Sequence, residues 1–184
     1  FLTGAVNMRA HAVESLSEVE LDFDPRYEIQ SVSINDQNVS YEKRGGKLIL
    51  SDKTISANSE FTTSVSYSGR PYIAENPPWD GGFVFDRTES GDHWIATAVQ
   101  GRGCDLYWPC KDHISDKPEQ GADMFITVPS NLVAVMNGKL LSKESNEGKT
   151  TYHWRTTNPI STYHLAINIG PFQKFELEHQ NAIS

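Results

Sequence analysis

Apolar and polar residues alternate with a period of two along most of the chain, the pattern of strands with one buried face. Val6–Val13 places Val6, Met8, Ala10 and Ala12 on one face and mostly polar groups on the other. Glu18–Phe23 alternates throughout and Ile29–Ile34 nearly so, with Asp24–Pro25 and Asn35–Asp36 supplying the breaks. Gly45–Gly46, between Val39–Lys43 and Lys47–Leu50, predicts a hairpin, and Glu60–Tyr67 predicts a further strand. This spacing suggests a meander. Residues 68–91 break the pattern: Pro71, Pro77–Pro78 and Gly81–Gly82 predict a long ordered loop, anchored by Trp79, Phe83 and Phe85 against a core or a neighbouring domain. Strands are predicted again at His93–Val99, Ala122–Val128, Leu132–Asn137, Thr150–Arg155, Tyr163–Ile169 and Gln173–Leu177, with turns at Asn137–Gly138 and Asn146-Glu-Gly148. Only Pro118–Gly121 reads as a helical turn. A dozen strands with no crossover helix predict an all-β protein of mostly antiparallel sheets packed as a sandwich or curved layer.

A chain of 184 residues suits one domain with one self-sufficient core. Apolar residues at 38% and charged residues at 22% are ordinary globular values, which argue against disorder. The formal charge of -8, with no Lys/Arg run, makes nucleic acid and anionic membranes poor partners. Apolar runs fall far short of the ~20 residues of a membrane span, so the expectation is a soluble protein. The first residues lack the features of a signal peptide, and the compartment stays open.

Much familiar chemistry is missing. No two of the six histidines stand four apart, so there is no His-Glu-x-x-His helix, and His11 with Glu14 reads as strand surface. In Asp92–His93 and Asp112–His113, adjacent strand residues would point to opposite faces. Neither a Gly-x-Ser-x-Gly elbow nor a phosphate-binding glycine loop occurs. Asp80, Asp86, Glu89 and Asp92 cluster in sequence and could bind calcium or a sugar, although a solvated loop face is the plainer reading. Asn38-Val-Ser40 is a glycosylation sequon that matters only in a secreted eukaryotic protein. Cys104 and Cys110 fit no zinc or redox spacing and read as half-buried thiols, with a disulfide open if the chain doubles back near Pro109. The most unusual stretch runs from Trp94 to Lys117, where an apolar strand delivers the carboxamide of Gln100 to a Gly101-Arg-Gly103 turn. Beside glycines such a group approaches a ligand or another backbone closely, as donor and acceptor; capping of the turn by Gln100 is the simpler alternative.

Together, Ala98-Val-Gln100, Trp108-Pro-Cys-Lys-Asp112, Ile126-Thr-Val-Pro129, Val133-Ala-Val-Met-Asn-Gly138 and Tyr163-His-Leu-Ala-Ile-Asn-Ile-Gly-Pro171 resemble, in order and spacing, the N-terminal domain of the zinc aminopeptidase family that includes aminopeptidase N and leukotriene hydrolase. Pro77-Pro-Trp-Asp-Gly-Gly-Phe83 resembles its bacterial branch. The resemblance implies a saddle-like, mostly antiparallel β domain, here residues 1–184, that lies over a separate catalytic domain and holds no zinc itself. It implies zinc in the complete enzyme, and a fragment inactive alone that lacks the family's Gly-x-Met-Glu-Asn loop and zinc helix. It also implies that Gln100, with the backbone of Gly101 and Gly103, helps to bind the free amino end of a peptide substrate. The chain departs from the family pattern at Ala98, where a second carboxamide is usual, and at Cys104–Asp105, where Ala-Arg is common. Exposed aromatics around Trp79 and Trp108 would belong to the surface that the catalytic domain covers. The alternative is a free-standing β-sandwich module that binds carbohydrate or protein through the Trp79, Asp80 and Asp86 loop.

Overall fold

The computed structural model describes residues 1–175. Fourteen strands carry its regular structure, with no α-helix among the described residues and two short 3-10 turns, Cys104–Leu106 and Thr162–His164. Among the described residues no helix is long and apolar enough to cross a membrane. All strand pairs are antiparallel, as the alternating pattern predicts.

The first seven strands build two sheets. β1 (Leu2–Ala12), β7 (Ser59–Gly69), β3 (Glu28–Ile34) and β4 (Gln37–Asn38) lie side by side in that order, while β2 (Val19–Asp22), β6 (Lys47–Leu50) and β5 (Tyr41–Arg44) form the other. The expected meander is corrected, because the chain alternates between layers and β1 pairs along its whole length with β7. The apolar faces explain this arrangement. Val32, Ile34, Phe61, Val65 and Tyr67 from one sheet and Val19, Leu21, Leu48 and Leu50 from the other bury each other in one core, which neither sheet could do alone. Each such side chain contributes roughly 1.5–3 kcal/mol. Gly4 stands opposite Tyr67, and a Cβ there would lie 2.6 Å from Tyr67 Cζ, so the ring crosses the bare glycine. The rings of Phe23, Tyr27 and Tyr67 then pack at 4.9, 5.2 and 5.3 Å.

The rest of the chain repeats the scheme. β10 (Ala122–Pro129), β13 (Lys149–Thr156) and β12 (Lys139–Asn146) form one sheet; β11 (Val133–Val135), β14 (Asn168–Gly170), β9 (His93–Ala98) and β8 (Gly82–Arg87) form another. Val128 and Tyr152 meet Phe83, Ala134 and Ile169 in a second core, which Leu106 and Tyr107 complete. Leu2 and Trp108 pack against both cores, so the segment around the first 3-10 turn sits where the two halves join.

Several local expectations are corrected. β8 lies inside the stretch read as loop. Of the three aromatic anchors only Phe83 is buried, while Phe85 is 47% and Trp79 71% exposed. Trp108, expected on an exposed surface, is half-buried. β12 was not predicted because nearly all of its residues are exposed, leaving no alternation to read; it is an edge strand paired to β13. The strand expected at Tyr163–Ile169 begins as a 3-10 turn. There the side chains of Asn137 and Thr97 take the N–H groups of Ala166 and Ile167 at 2.7 and 3.0 Å, replacing ladder partners, and pairing resumes only at β14. Pro118–Gly121 is a single turn closed by a 3.0 Å hydrogen bond. Of Gln173–Leu177, residues 173–175 form no strand and the remainder lies outside the described residues. Finally, Cys104 and Cys110 are joined in a disulfide with their Cα atoms 6.2 Å apart, against the reading as free thiols. The chain doubles back because the N–H groups of both Tyr107 and Trp108 donate to the Cys104 carbonyl, at 2.9 and 3.1 Å.

Candidate functional site

β9 ends at Ala98 and the chain turns at once. The Val99 carbonyl accepts the Arg102 N–H at 3.1 Å, and Gly101, third in the turn, has φ +68°, the left-handed value that a type II turn needs there. Gln100 occupies the second position, exposed, and no described residue hydrogen-bonds its carboxamide. It does not cap the turn. Beside it lies an open depression of about 490 Å³, lined by the turn residues and by Asp112, Ile114, Tyr163 and His164.

Gly103 has a different role. Its backbone is extended and buried, and a Cβ there would stand 1.7 Å from Asp112 Oδ2, so the carboxylate rests directly on the glycine. Oδ1 of Asp112 accepts the Cys104 N–H at 3.2 Å, and the Asp112 N–H donates to Asp22 Oδ2 at 3.0 Å. Two backbone hydrogen bonds between Asp22 and Cys110, 2.7 and 3.0 Å, and the disulfide complete the corner. Gln100 and Gly101 thus line the depression, whereas Gly103 lies beneath Asp112.

Three tyrosines hold this corner to the cores. Tyr27 and Tyr67 donate their hydroxyls to the carbonyls of Leu106 and Tyr107, at 2.8 and 2.6 Å. The Tyr107 hydroxyl donates to the Ala98 carbonyl and accepts the Gly82 N–H at 3.3 Å, tying the ends of β9 and β8 together. Burial pushes the Tyr107 hydroxyl up to about 12 and raises Tyr27 and Tyr67 as well, so all three remain proton donors at neutral pH. Burial, and then the carboxylates of Asp112, Asp24 and Asp22, also push the Asp105 carboxyl above the usual carboxylate range.

The arrangement offers acceptors to a cation, through the Gln100 carboxamide oxygen and the Asp112 carboxylate, and donors to an anion, through Arg102. It offers no metal site. Cys104, Cys110 and Asp112 are the one group among the described residues whose donor atoms come within 4.8 Å, and both sulfurs are spent on the disulfide. The acidic residues of the glycine-rich stretch do not gather. Asp86 accepts its neighbour's N–H at 2.7 Å and Asp92 accepts the Ser90 hydroxyl at 2.8 Å, both within the β8–β9 hairpin. His113 Nδ1 lies 2.8 Å from the Ser115 hydroxyl, and no hydrogen bond joins it to Asp112. Sequence reasoning did not place Arg102, Asp112, Tyr163 or His164 beside Gln100. The glycine at 103 signalled a close approach without revealing that Asp112 makes it.

The family profile described as Peptidase M1 N-terminal domain matches residues 1–164. The chain belongs to that family. The M1 N-terminal domain seen here resembles part of several solved structures. An M1 zinc metallopeptidase from Deinococcus radiodurans superposes with a TM-score of 0.78 at 22% identity, over 91% of this chain and 37% of that one. A mutant M1 zinc metallopeptidase from the same organism, bound to a Tyr-Ser-Ala substrate, gives 0.75 at 22% identity, with 91% and 37% covered. A two-domain M1 zinc metallopeptidase mutant bound to L-tryptophan gives 0.76 at 23% identity, with 91% and 38% covered. At these identities the likeness establishes the fold. The chain spans 37–38% of the length of these structures. A search of curated proteins finds no match.

Proposed function

We propose that residues 1–184 are the N-terminal, non-catalytic β domain of a zinc-dependent aminopeptidase, lying over its catalytic domain and helping to bind the free amino end of peptide substrates. The observation that carries this reading is the exposed, unengaged carboxamide of Gln100 at the rim of the depression, in a chain of the M1 N-terminal family. Its oxygen accepts from an ammonium group, the adjoining Gly101 backbone has no side chain to obstruct a ligand, and the Asp112 carboxylate, seated on Gly103, adds negative charge nearby. The solved relatives hold a tripeptide substrate or single amino acids, ligands with a free amine. The one donor cluster among the described residues, Cys104, Cys110 and Asp112, does not fit zinc because both sulfurs are in the disulfide; on this reading the metal and the bond-breaking groups belong to the catalytic domain, and the N-terminal domain alone is expected to be inactive.

The test is hydrolysis by the full-length protein. Release of the first residue from a free-amine peptide, no release from its N-acetylated form, and loss of activity with a chelator are the expected results; equal turnover of both peptides would overturn the reading.

A further inference from the structure

We propose that Arg102 is a specificity-determining residue of this site, recognising a carboxylate on the substrate residues that follow the free amino end. The inference rests on the reading of Gln100 as the group that meets the amine. Arg102 lines the same depression two residues further along the turn.

Arg102 is held at three points, from its backbone to its guanidinium. The backbone N–H closes the turn on Val99 at 3.1 Å. The Cβ and Cγ atoms pass over Gly81, where an added Cβ would come within 2.5 and 2.7 Å of them. The guanidinium lies 5.3 Å from the centre of the Tyr72 ring. An aromatic face steadies a guanidinium without consuming any of its five N–H donors. Arg26 shares the Tyr72 ring at 4.5 Å, but its charge is matched by buried Asp24 at 2.6 Å.

Arg102 has no such match. Arg9, Arg44 and Arg155 are paired to carboxylates and Arg87 donates to a carbonyl; among the described arginines only Arg70 and Arg102 lack both kinds of partner, and Arg102 is the one that lines the depression. Asp112, the anion in the same lining, forms no ion pair with Arg102; its Oδ1 accepts the Cys104 N–H at 3.2 Å. A guanidinium with a held stem and no ion pair among the described residues is a local receptor for a carboxylate, even on a chain of net charge -8. Two sources present that chemistry in a short peptide: an acidic side chain after the first residue, and the terminal carboxylate of a di- or tripeptide.

The experiment measures kcat/KM of the full-length protein on three tripeptides with the same first residue: Leu-Ala-Ala amide, Leu-Glu-Ala amide and Leu-Ala-Ala free acid. The wild-type protein is expected to prefer one or both acids over the plain amide by about tenfold or more, the size of a charge-assisted hydrogen bond. The preferred peptide identifies the source. In Arg102→Ala the acid-to-amide ratio should fall towards one, and Arg102→Lys should keep part of it. A wild-type ratio near one overturns the proposal and needs no variant, and so does a ratio that survives Arg102→Ala. Gln100→Ala separates the two readings, because it should lower all three efficiencies and leave the ratio in place. Unchanged efficiencies in Gln100→Ala, with a ratio still dependent on Arg102, would sink the amine-binding role alone.

Discussion

Gly103→Ala isolates the contact that shapes the site. The backbone at Gly103 is extended, so a methyl group brings no conformational strain of its own. The new Cβ would nevertheless stand 1.7 Å from Asp112 Oδ2 and 2.1 Å from its Cγ. That carboxylate ends an exposed side chain, so it swings aside instead of forcing the backbone apart. The loss is its 3.2 Å hydrogen bond from the buried Cys104 N–H. A bond to a charged acceptor contributes about 1.5–3 kcal/mol when buried and less when exposed, so Gly103→Ala should cost about 1–2 kcal/mol. The corresponding fall in Tm is roughly 2–8 °C for a chain of this size. Asp112→Ala removes the same bond, and in that background the extra methyl meets no carboxylate and restricts the unfolded chain. The double variant should therefore be no less stable than Asp112→Ala alone, a coupling of about 1 kcal/mol or more. Urea unfolding of the four proteins measures it. Additive costs, with a coupling below about 0.5 kcal/mol, would refute the seating of Asp112 on Gly103.

Three further outcomes test the frame around the site. Tyr107→Phe leaves the Ala98 carbonyl and the Gly82 N–H without their buried partner and should cost about 1–3 kcal/mol by denaturant unfolding, whereas Trp79→Ala, 71% exposed, should stay within about 0.5 kcal/mol. Asp105→Asn should raise Tm at pH 7. The folded carboxyl titrates above its unfolded value, so its contribution is full below the unfolded pKa, near 3.9, and lost as pH rises through the folded one; the gain from Asn should disappear in acid, and a gain independent of pH would contradict the assignment. Alkylation of the unreduced, unfolded protein followed by mass measurement should label neither Cys104 nor Cys110, and reduction should lower stability by about 2 kcal/mol, the entropy of closing so short a loop.

Strands were legible where one face is buried. In β7, Phe61, Thr63, Val65 and Tyr67 alternate with more exposed neighbours, and the sequence shows it directly. β12 was invisible because both of its faces meet solvent, and β8 because two glycines and a short apolar run hide a strand that buries little beyond Phe83. The winding of the first sandwich was not legible at all. Pairing β1 with β7 depends on which apolar faces meet, and local pattern carries no such information. At the site, a carboxamide followed by Gly-Arg-Gly announced a turn, and Gly101 is indeed left-handed. The partner above Gly103, the tethering of the corner to β2 and the disulfide all require knowing where a later stretch of chain returns, and spacing alone leaves that open.

On the proposed reading, this domain reaches into catalysis through Gln100. The most direct measurement is kcat/KM of the full-length protein and of its Gln100→Ala variant on a free-amine peptide, with unchanged unfolding as the control. The expected result is a fall of roughly 5- to 150-fold, the equivalent of about 1–3 kcal/mol of lost transition-state binding. An unchanged kcat/KM would contradict it and leave the M1 N-terminal domain a scaffold without a hand in substrate binding.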